Sequence, residues 1–412
     1  MKECPGNLHI LSLKKFKMKK RTNKFNILID GNHFLHTTLG ICGLFNGNLF
    51  HIDSDEAQLK KDSNFLFERM STIFASDVRN FQDITKSIFW MVDESRSWRK
   101  EIILDNNYKG LPNSLDYKGN REKSNNINWG RIYKTFREFT ESLQTFNCYY
   151  YSITGCEADD VIFMFSCLFN AQGENVIVYS GDNDLKQCIG FDKSHESFTL
   201  IYQKQQKNIG MDLQTARYLK AATNLEVIQF VKRFTNNTKC TLSVVDVNNV
   251  ILEKVLVGDS GDNVFSVMVE MAKYKSGSKI GEEYERRITP TIVEKIKKEI
   301  GEFSPESFFD QEFITLLANS CIRNFKTITK FDIDNVINNI NLNVQLVLLH
   351  KQSYPIALSN SMIDNFNLIE DAKYASISKL GFKDNILKEI KSYEKTKEES
   401  ASSASIFKHF GL

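Results

Sequence analysis

Apolar runs that stop abruptly at an acid constrain this chain more than any other feature. Phe25-Asn26-Ile27-Leu28-Ile29 ends at Asp30, and Ile88-Phe89-Trp90-Met91-Val92 ends at Asp93. Val176-Ile177-Val178-Tyr179 runs into Ser180-Gly181-Asp182-Asn183-Asp184. Each run reads as a short buried strand, and helix-patterned sequence separates them. Strands alternating with helices give a parallel sheet with right-handed crossovers. The fold class predicted is therefore α/β, a mostly parallel sheet flanked by helices. The strand-ending acids then share the carboxyl edge, where open sheets of this kind build their sites.

Two further acidic groups join them. Glu157, Asp159 and Asp160 open a segment whose Val161, Ile162, Phe165, Leu168 and Phe169 repeat at helical spacing. The acids thus fall in a first helical turn, where free N–H groups and the dipole favour negative charge. Downstream, Val255-Leu256-Val257-Gly258 leads into Asp259-Ser260-Gly261-Asp262-Asn263-Val264. Any one of these acids alone reads as a solvated cap or turn. Together they repel: two carboxylates about 4 Å apart near a surface cost roughly 4 kcal/mol, and several such pairs rival the ~5–15 kcal/mol that keeps a domain folded. Either some carboxyls stay protonated or divalent cations neutralise them, and the second is the expectation. Oxygen donors without sulfur suit Mg²⁺ or Mn²⁺ better than Zn²⁺.

In this order the acidic motifs resemble those of the structure-specific 5′ nucleases, the flap endonucleases and the 5′-exonuclease domains of bacterial polymerases. The T-even phage ribonuclease H branch is the nearest in look. Ser95-Arg96-Ser97-Trp98-Arg99-Lys100, Tyr117-Lys118-Gly119-Asn120-Arg121 and Thr289-Pro290-Thr291-Ile292-Val293-Glu294 resemble stretches of that branch. The likeness spans roughly residues 24 to 355. It implies a two-ion cradle of Asp30, Asp93, Glu157, Asp159, Asp182, Asp184 and Asp262, with Asp160 and Asp259 in an outer shell. It also implies an arch over the site that admits a 5′ single strand, and a C-terminal helical half that grips duplex. The activity expected is 5′-3′ exonuclease, flap endonuclease and ribonuclease H cleavage of DNA and RNA·DNA, removing RNA primers from lagging-strand fragments in phage replication. A PIN-type endoribonuclease is the rival, but it lacks the late Gly-Asp-x-x-Asp-Asn motif. A non-catalytic, clamp-tethered binder of DNA structures is a second, against which the full acid set argues.

Net charge is only +2, so overall charge does not announce nucleic acid, but its distribution does. Residues 96–137 hold ten Lys/Arg against four Asp/Glu. There Arg96, Trp98, Arg99, Lys100, Tyr108, Lys109, Tyr117, Lys118, Arg121, Lys123 and Trp129 interleave cations for phosphates with rings for unpaired bases. Arg96, Arg99 and Lys100 follow Asp93 closely enough to steady charge on the reacting phosphate. The family's Pro/Gly-rich hairpin after the last acid is replaced by Phe265-Ser266-Val267-Met268-Val269 and a basic loop bearing Lys275 and Lys279, also expected at nucleic acid.

The expected division is a basic arm (1–24), an α/β nuclease domain (25–205, arch region 94–139), a mainly helical duplex-binding domain (206–392) and a flexible tail (393–412). In the tail, Ile406, Phe407 and Phe410 share one side of a helical turn and resemble the short Phe-containing ends that hold a sliding clamp. A single-stranded-DNA-binding protein is a further expected partner. His33 and His36 read as packing or cap residues. The 8 cysteines show no zinc spacing, and the absence of a secretory or membrane-spanning run leads to an expected cytoplasmic location, the host's if viral.

Overall fold

A computed structural model describes residues 24–44, 49–81, 84–93, 97–105, 117–118, 126–143, 148–221, 225–274, 278–325 and 331–369. In chain order the elements are β1 (Phe25–Asp30), α1 (Gly31–Ile41), α2 (Glu56–Phe81), β2 (Thr85–Met91), α3 (Trp98–Asp105), α4 (Trp129–Ser142) and β3 (Cys148–Tyr151). Then come α5 (Ala158–Ala171), β4 (Asn175–Tyr179), β5 (Gly190–Asp192), β6 (Ser197–Gln203), β7 (Asn208–Met211), α6 (Leu213–Ala221), α7 (Leu225–Thr238), β8 (Thr241–Val244) and α8 (Val247–Val257). A hairpin of β9 (Val269–Lys273) and β10 (Glu283–Arg287) follows, and then α9 (Pro290–Ile300), α10 (Gln311–Phe325), α11 (Ile333–Val347) and α12 (Ile356–Ile369).

The large sheet has the order β3-β2-β1-β4-β6-β7-β8, with β5 paired to β6. β1 runs parallel to both β2 and β4, and β2 is parallel to β3. From β1 the chain first builds outward through β2 and β3, then returns to add β4 on the other side. The order reverses between β1 and β4, and that crevice is where the carboxyl ends of an open sheet leave room for a site.

Alternation along the strands divides the core in two. Ile27 and Ile29 of β1, Ile88 and Trp90 of β2, and Ile177 of β4 pack with α1, α2 and α4. Leu28, Phe89, Met91, Val176 and Val178 point the other way, into α5 and α12. Both faces are covered, which is why these strands read as continuous apolar runs. A third core joins α8 to α11.

One boundary differs from the sequence expectation. The sheet continues past residue 205 through β7 and β8, because Gly210 and Ile209 extend the ladder beside β6. Among the described residues no helix is long and apolar enough to cross a membrane.

Candidate metal centre

Asp30 ends β1 and caps α1: its Oδ1 accepts from the His33 amide at 2.9 Å, and its Oδ2 from the Ser180 hydroxyl at 2.8 Å. The second bond exists because β1 and β4 are neighbours in register. Asp93 follows β2; its Oδ1 accepts from the Ala158 amide at the start of α5, so the acid sits on a helix N-terminus. Gly181 allows the turn after β4 to pass the His33 ring, since a Cβ there would come within 2.6 Å of it. The backbone amides of Asp182 and Asp184 are then held by Ser180 Oγ and Asp182 Oδ1.

The last acids arrive from the helical half. α8 ends at Gly258 in a left-handed conformation, φ 81°. The amides of Asp259 and Val264 then pair with each other's carbonyls to close a tight loop. Carboxylate oxygens of Asp184, Asp259 and Asp262 come within 4.8 Å of one another. A cluster of three half-buried carboxylates with no sulfur or imidazole is an arrangement that fits a hard divalent cation.

The electrostatics divide the acids sharply. Burial pushes Asp93 up to about 6, against Lys118 and with help from Glu157. Asp159 is raised far above the carboxylate range by burial and by Asp30, Asp182 and Asp93 around it. Asp184 is pushed to about 6 by burial and Asp182, and burial raises Asp30. Glu157 goes the other way. Burial would raise it, but Arg99 and Lys118 outweigh that and hold it down at about 2.

Two lysines sit inside the acidic group. Lys118 Nζ lies 2.8 Å from Glu157 and 3.7 Å from Asp262. Its left-handed backbone, φ 58°, and an amide bond to the Asp262 carbonyl fix it there. Lys254, on α8, bridges Asp184 and Asp259. Sequence reasoning passed over Lys254. The signal was its place one turn before the end of α8, from which a long side chain reaches the loop beyond. Burial works against both charges, but the surrounding carboxylates raise both amines.

Several expected roles are corrected. Arg99 was placed at the reacting phosphate; instead it forms a buried fork with Asp160. Nη1 and Nη2 of Arg99 meet Asp160 Oδ2 and Oδ1 at 2.9 and 2.6 Å, and Nη1 also meets Glu157 at 3.1 Å. Arg99 is 2% exposed and Asp160 0%, so neither is free to meet a ligand. Trp98 is buried and gives its Nε1 proton to Asp160 at 3.0 Å, which removes it as a stacking face. Tyr117, read as another such face, is also buried; its hydroxyl lies 3.1 Å from both Glu157 and Asp262. Lys118 lies within the acidic centre. Lys100 is half-buried on α3 and Lys279 is exposed between β9 and β10. Of the two histidines read as packing or cap residues, His33 donates its backbone amide to the N-cap Asp30 while its ring meets Thr37 and Gln205, and the His36 ring lies 5.5 Å from Trp129. Arg96, Lys109, Arg121, Lys123, Lys275, Ile406, Phe407 and Phe410 lie outside the described residues.

No curated protein matches the chain in sequence. Among solved structures it is similar to a bacteriophage T5 flap endonuclease in a pseudo-enzyme-product complex with DNA and metal ions, with 14% identity over 89% of this chain and 100% of that one, TM-score 0.43. It is also similar to the T5 5′-exonuclease with bound zinc, with 15% identity over 90% and 98%, TM-score 0.39. A family model described as 5′-3′ exonuclease, N-terminal resolvase-like domain, matches residues 49–219, most of the large sheet and its helices. Over residues 49–219, which include Asp93, Glu157, Asp159, Asp182 and Asp184, the chain is thus similar to the N-terminal domain of the 5′-3′ exonucleases.

Proposed function

We propose that this nuclease hydrolyses phosphodiesters near the 5′ ends of DNA and RNA·DNA with two Mg²⁺ ions, as exonuclease and flap endonuclease. The observation that carries the reading is the convergence of acids from five chain segments, four at the sheet's carboxyl edge and one from the loop after α8, with two lysines set among them. Asp30, Asp93, Asp159 and Asp182 would hold one ion, and Asp184, Asp259 and Asp262 the other. Bound there, the ions would lower the pKa of an attacking water and offset charge on the leaving oxygen.

The remaining work falls to the protein. Glu157, ionised at any ordinary pH, anchors Lys118 and Tyr117 beside the acids. Lys118 is the cation best placed to meet a phosphate oxygen, and trading Glu157 for substrate takes only a short swing of its flexible side chain. The Arg99–Asp160 fork fixes the first turn of α5 and so the aim of Asp159. Lys254 holds Asp184 and Asp259 together from the helical half. Contacts of this kind address phosphates, which makes selectivity one of structure and not of base sequence.

In the cell we assign the protein to RNA-primer removal during phage lagging-strand synthesis, held to a sliding clamp by residues 404–412. The test is cleavage of 5′-labelled flap, nicked and RNA-primed duplexes with Mg²⁺ and with EDTA. Metal-dependent products from the labelled end are expected. Binding without cleavage in Mg²⁺ or Mn²⁺ would leave only the non-catalytic alternative.

A further inference from the structure

The acidic centre has a neighbour that the reaction above does not use. A cavity of 320 Å³ opens beside Asp30, walled by Ile29, Phe34, Ile41, Ile73 and Tyr179 and mostly apolar. Lys204, Gln205 and Lys207, from the turn joining β6 to β7, complete its lining. His33, Thr37 and Gln205 form a loose polar trio there: Gln205 Nε2 lies 3.3 Å from His33 Nε2 and 3.5 Å from Thr37 Oγ1, and Thr37 Oγ1 lies 3.5 Å from His33 Nε2. Contacts that long are weak and readily exchanged for a better partner.

The lysines differ. Lys204 is pinned by the buried Asp77, which also accepts from the Tyr179 hydroxyl at 2.7 Å. Lys207 is exposed and makes no ion pair with the described residues. The site thus combines an apolar interior, adaptable hydrogen-bonding groups and a cation. Asp30 is common to the cavity and the acidic centre, so an occupant lies next to the reacting phosphate. The trio also touches the turn that carries Asp182, because the His33 ring leaves no room for a Cβ at Gly181.

We propose that this cavity receives one unpaired nucleobase of the substrate, from the nucleotide adjoining the phosphate that is cut, with Lys207 meeting the neighbouring phosphate. The inference rests on the nuclease reading above and adds to it a subsite. Apolar walls take the base faces, and Gln205, Thr37 and His33 take edge groups without demanding one base, as structure-selective cleavage requires.

Single-turnover cleavage of a flap substrate with an abasic residue on either side of the cut tests this. Removing the base on one side is expected to slow the wild-type protein on the order of tenfold, the usual scale for one buried base. Thr37→Trp, which fills the cavity, is expected to slow cleavage of the intact substrate by a similar factor and to make the abasic position irrelevant. Lys207→Glu, a surface change that leaves the core alone, is expected to weaken substrate binding several-fold and flatten its salt dependence by about one ion. Wild-type cutting of both abasic substrates at the intact rate, or a Lys207→Glu protein that binds as wild type does, would overturn the proposal while leaving the nuclease reading intact. Absence of any cleavage by the wild-type protein would instead remove that reading and the subsite with it.

Discussion

Asp159 is the acid least at ease in its surroundings, since burial and three neighbouring carboxylates all disfavour its charge. Asp159→Asn is expected to abolish cleavage, to leave DNA binding nearly intact, and to melt in EDTA no lower than wild type. Wild-type turnover in Mg²⁺ would remove it from the cradle. Arg99 gives the opposite result. Truncating one member of a buried ion pair strands the other, so Arg99→Ala is expected to cost about 3–5 kcal/mol of stability, read by denaturant titration. A loss of rate with stability intact would restore the phosphate role that the sequence suggested. The acids also set a pH dependence. Asp93 and Asp184 sit at about 6 when folded, against 3.8 ordinarily, so the folded state binds more protons and stability falls as pH rises from about 4 to 6. Glu157, at about 2 against 4.5, stabilises above about pH 4.5, and that contribution is lost as pH falls toward 2. Melting in EDTA across this range is expected to show the fall above pH 4, flattened in the Asp93→Asn, Asp184→Asn double variant.

The loop after α8 decides whether the helical half can contribute acids at all. Gly258 has φ 81°, and a Cβ there would meet the Val264 carbonyl oxygen at 2.4 Å and Phe265 backbone at 2.5 Å. A side chain would therefore both strain the turn and force the Asp259–Val264 bridge apart. Gly258→Ala is expected to lose at least ~1–3 kcal/mol and to weaken Mg²⁺ binding, as measured by titration calorimetry. An unchanged affinity would separate Asp259 and Asp262 from the metal. The turn after β4 is likewise held from both halves. Gln187, in the helical turn that follows Asp184, donates to the Val347 carbonyl at 3.0 Å and accepts from the Leu349 amide at 3.1 Å.

On the scale of the molecule, the acidic centre is where two separately packed bodies of sequence meet. Asp182 and Asp184 belong to the sheet, while Asp259 and Asp262 belong to a helical core with apolar contacts of its own. An ion shared by both groups would cross-link them and bind only the folded chain. Saturating Mg²⁺ is accordingly expected to stabilise the protein by about 2.7 kcal/mol at a hundredfold excess over Kd, seen as a rise in Tm. The rise is expected to shrink in Asp262→Asn, which removes a ligand of the shared ion. An equal shift in that variant would place the ion elsewhere.

The chain by itself determined three central strands, their parallel run and the edge on which their acids lie, because burial on both faces demands continuous apolar runs and helical crossovers leave little choice of direction. Through the likeness of its ordered acidic motifs to those of the 5′ nucleases, it also grouped Asp30, Asp93, Glu157, Asp159, Asp182, Asp184 and Asp262 as one set. What it left open was how so much like charge is tolerated. Protonation and divalent cations were the alternatives weighed, and tertiary structure adds a third answer for the metal-free protein: Lys118 and Lys254 are folded in among the carboxylates. Lys118 is 39 residues from Glu157, and no periodicity carries such a pairing; Lys254 lies only five residues from Asp259, but its second partner Asp184 is distant in the chain. The same limit explains Trp98, Arg99 and Tyr117. A run of cations and rings reads alike whether it faces a nucleic acid or packs inward, and only the packing of Trp98 and Arg99 against α5 and of Tyr117 against the α8–α11 core decided that these three turn in.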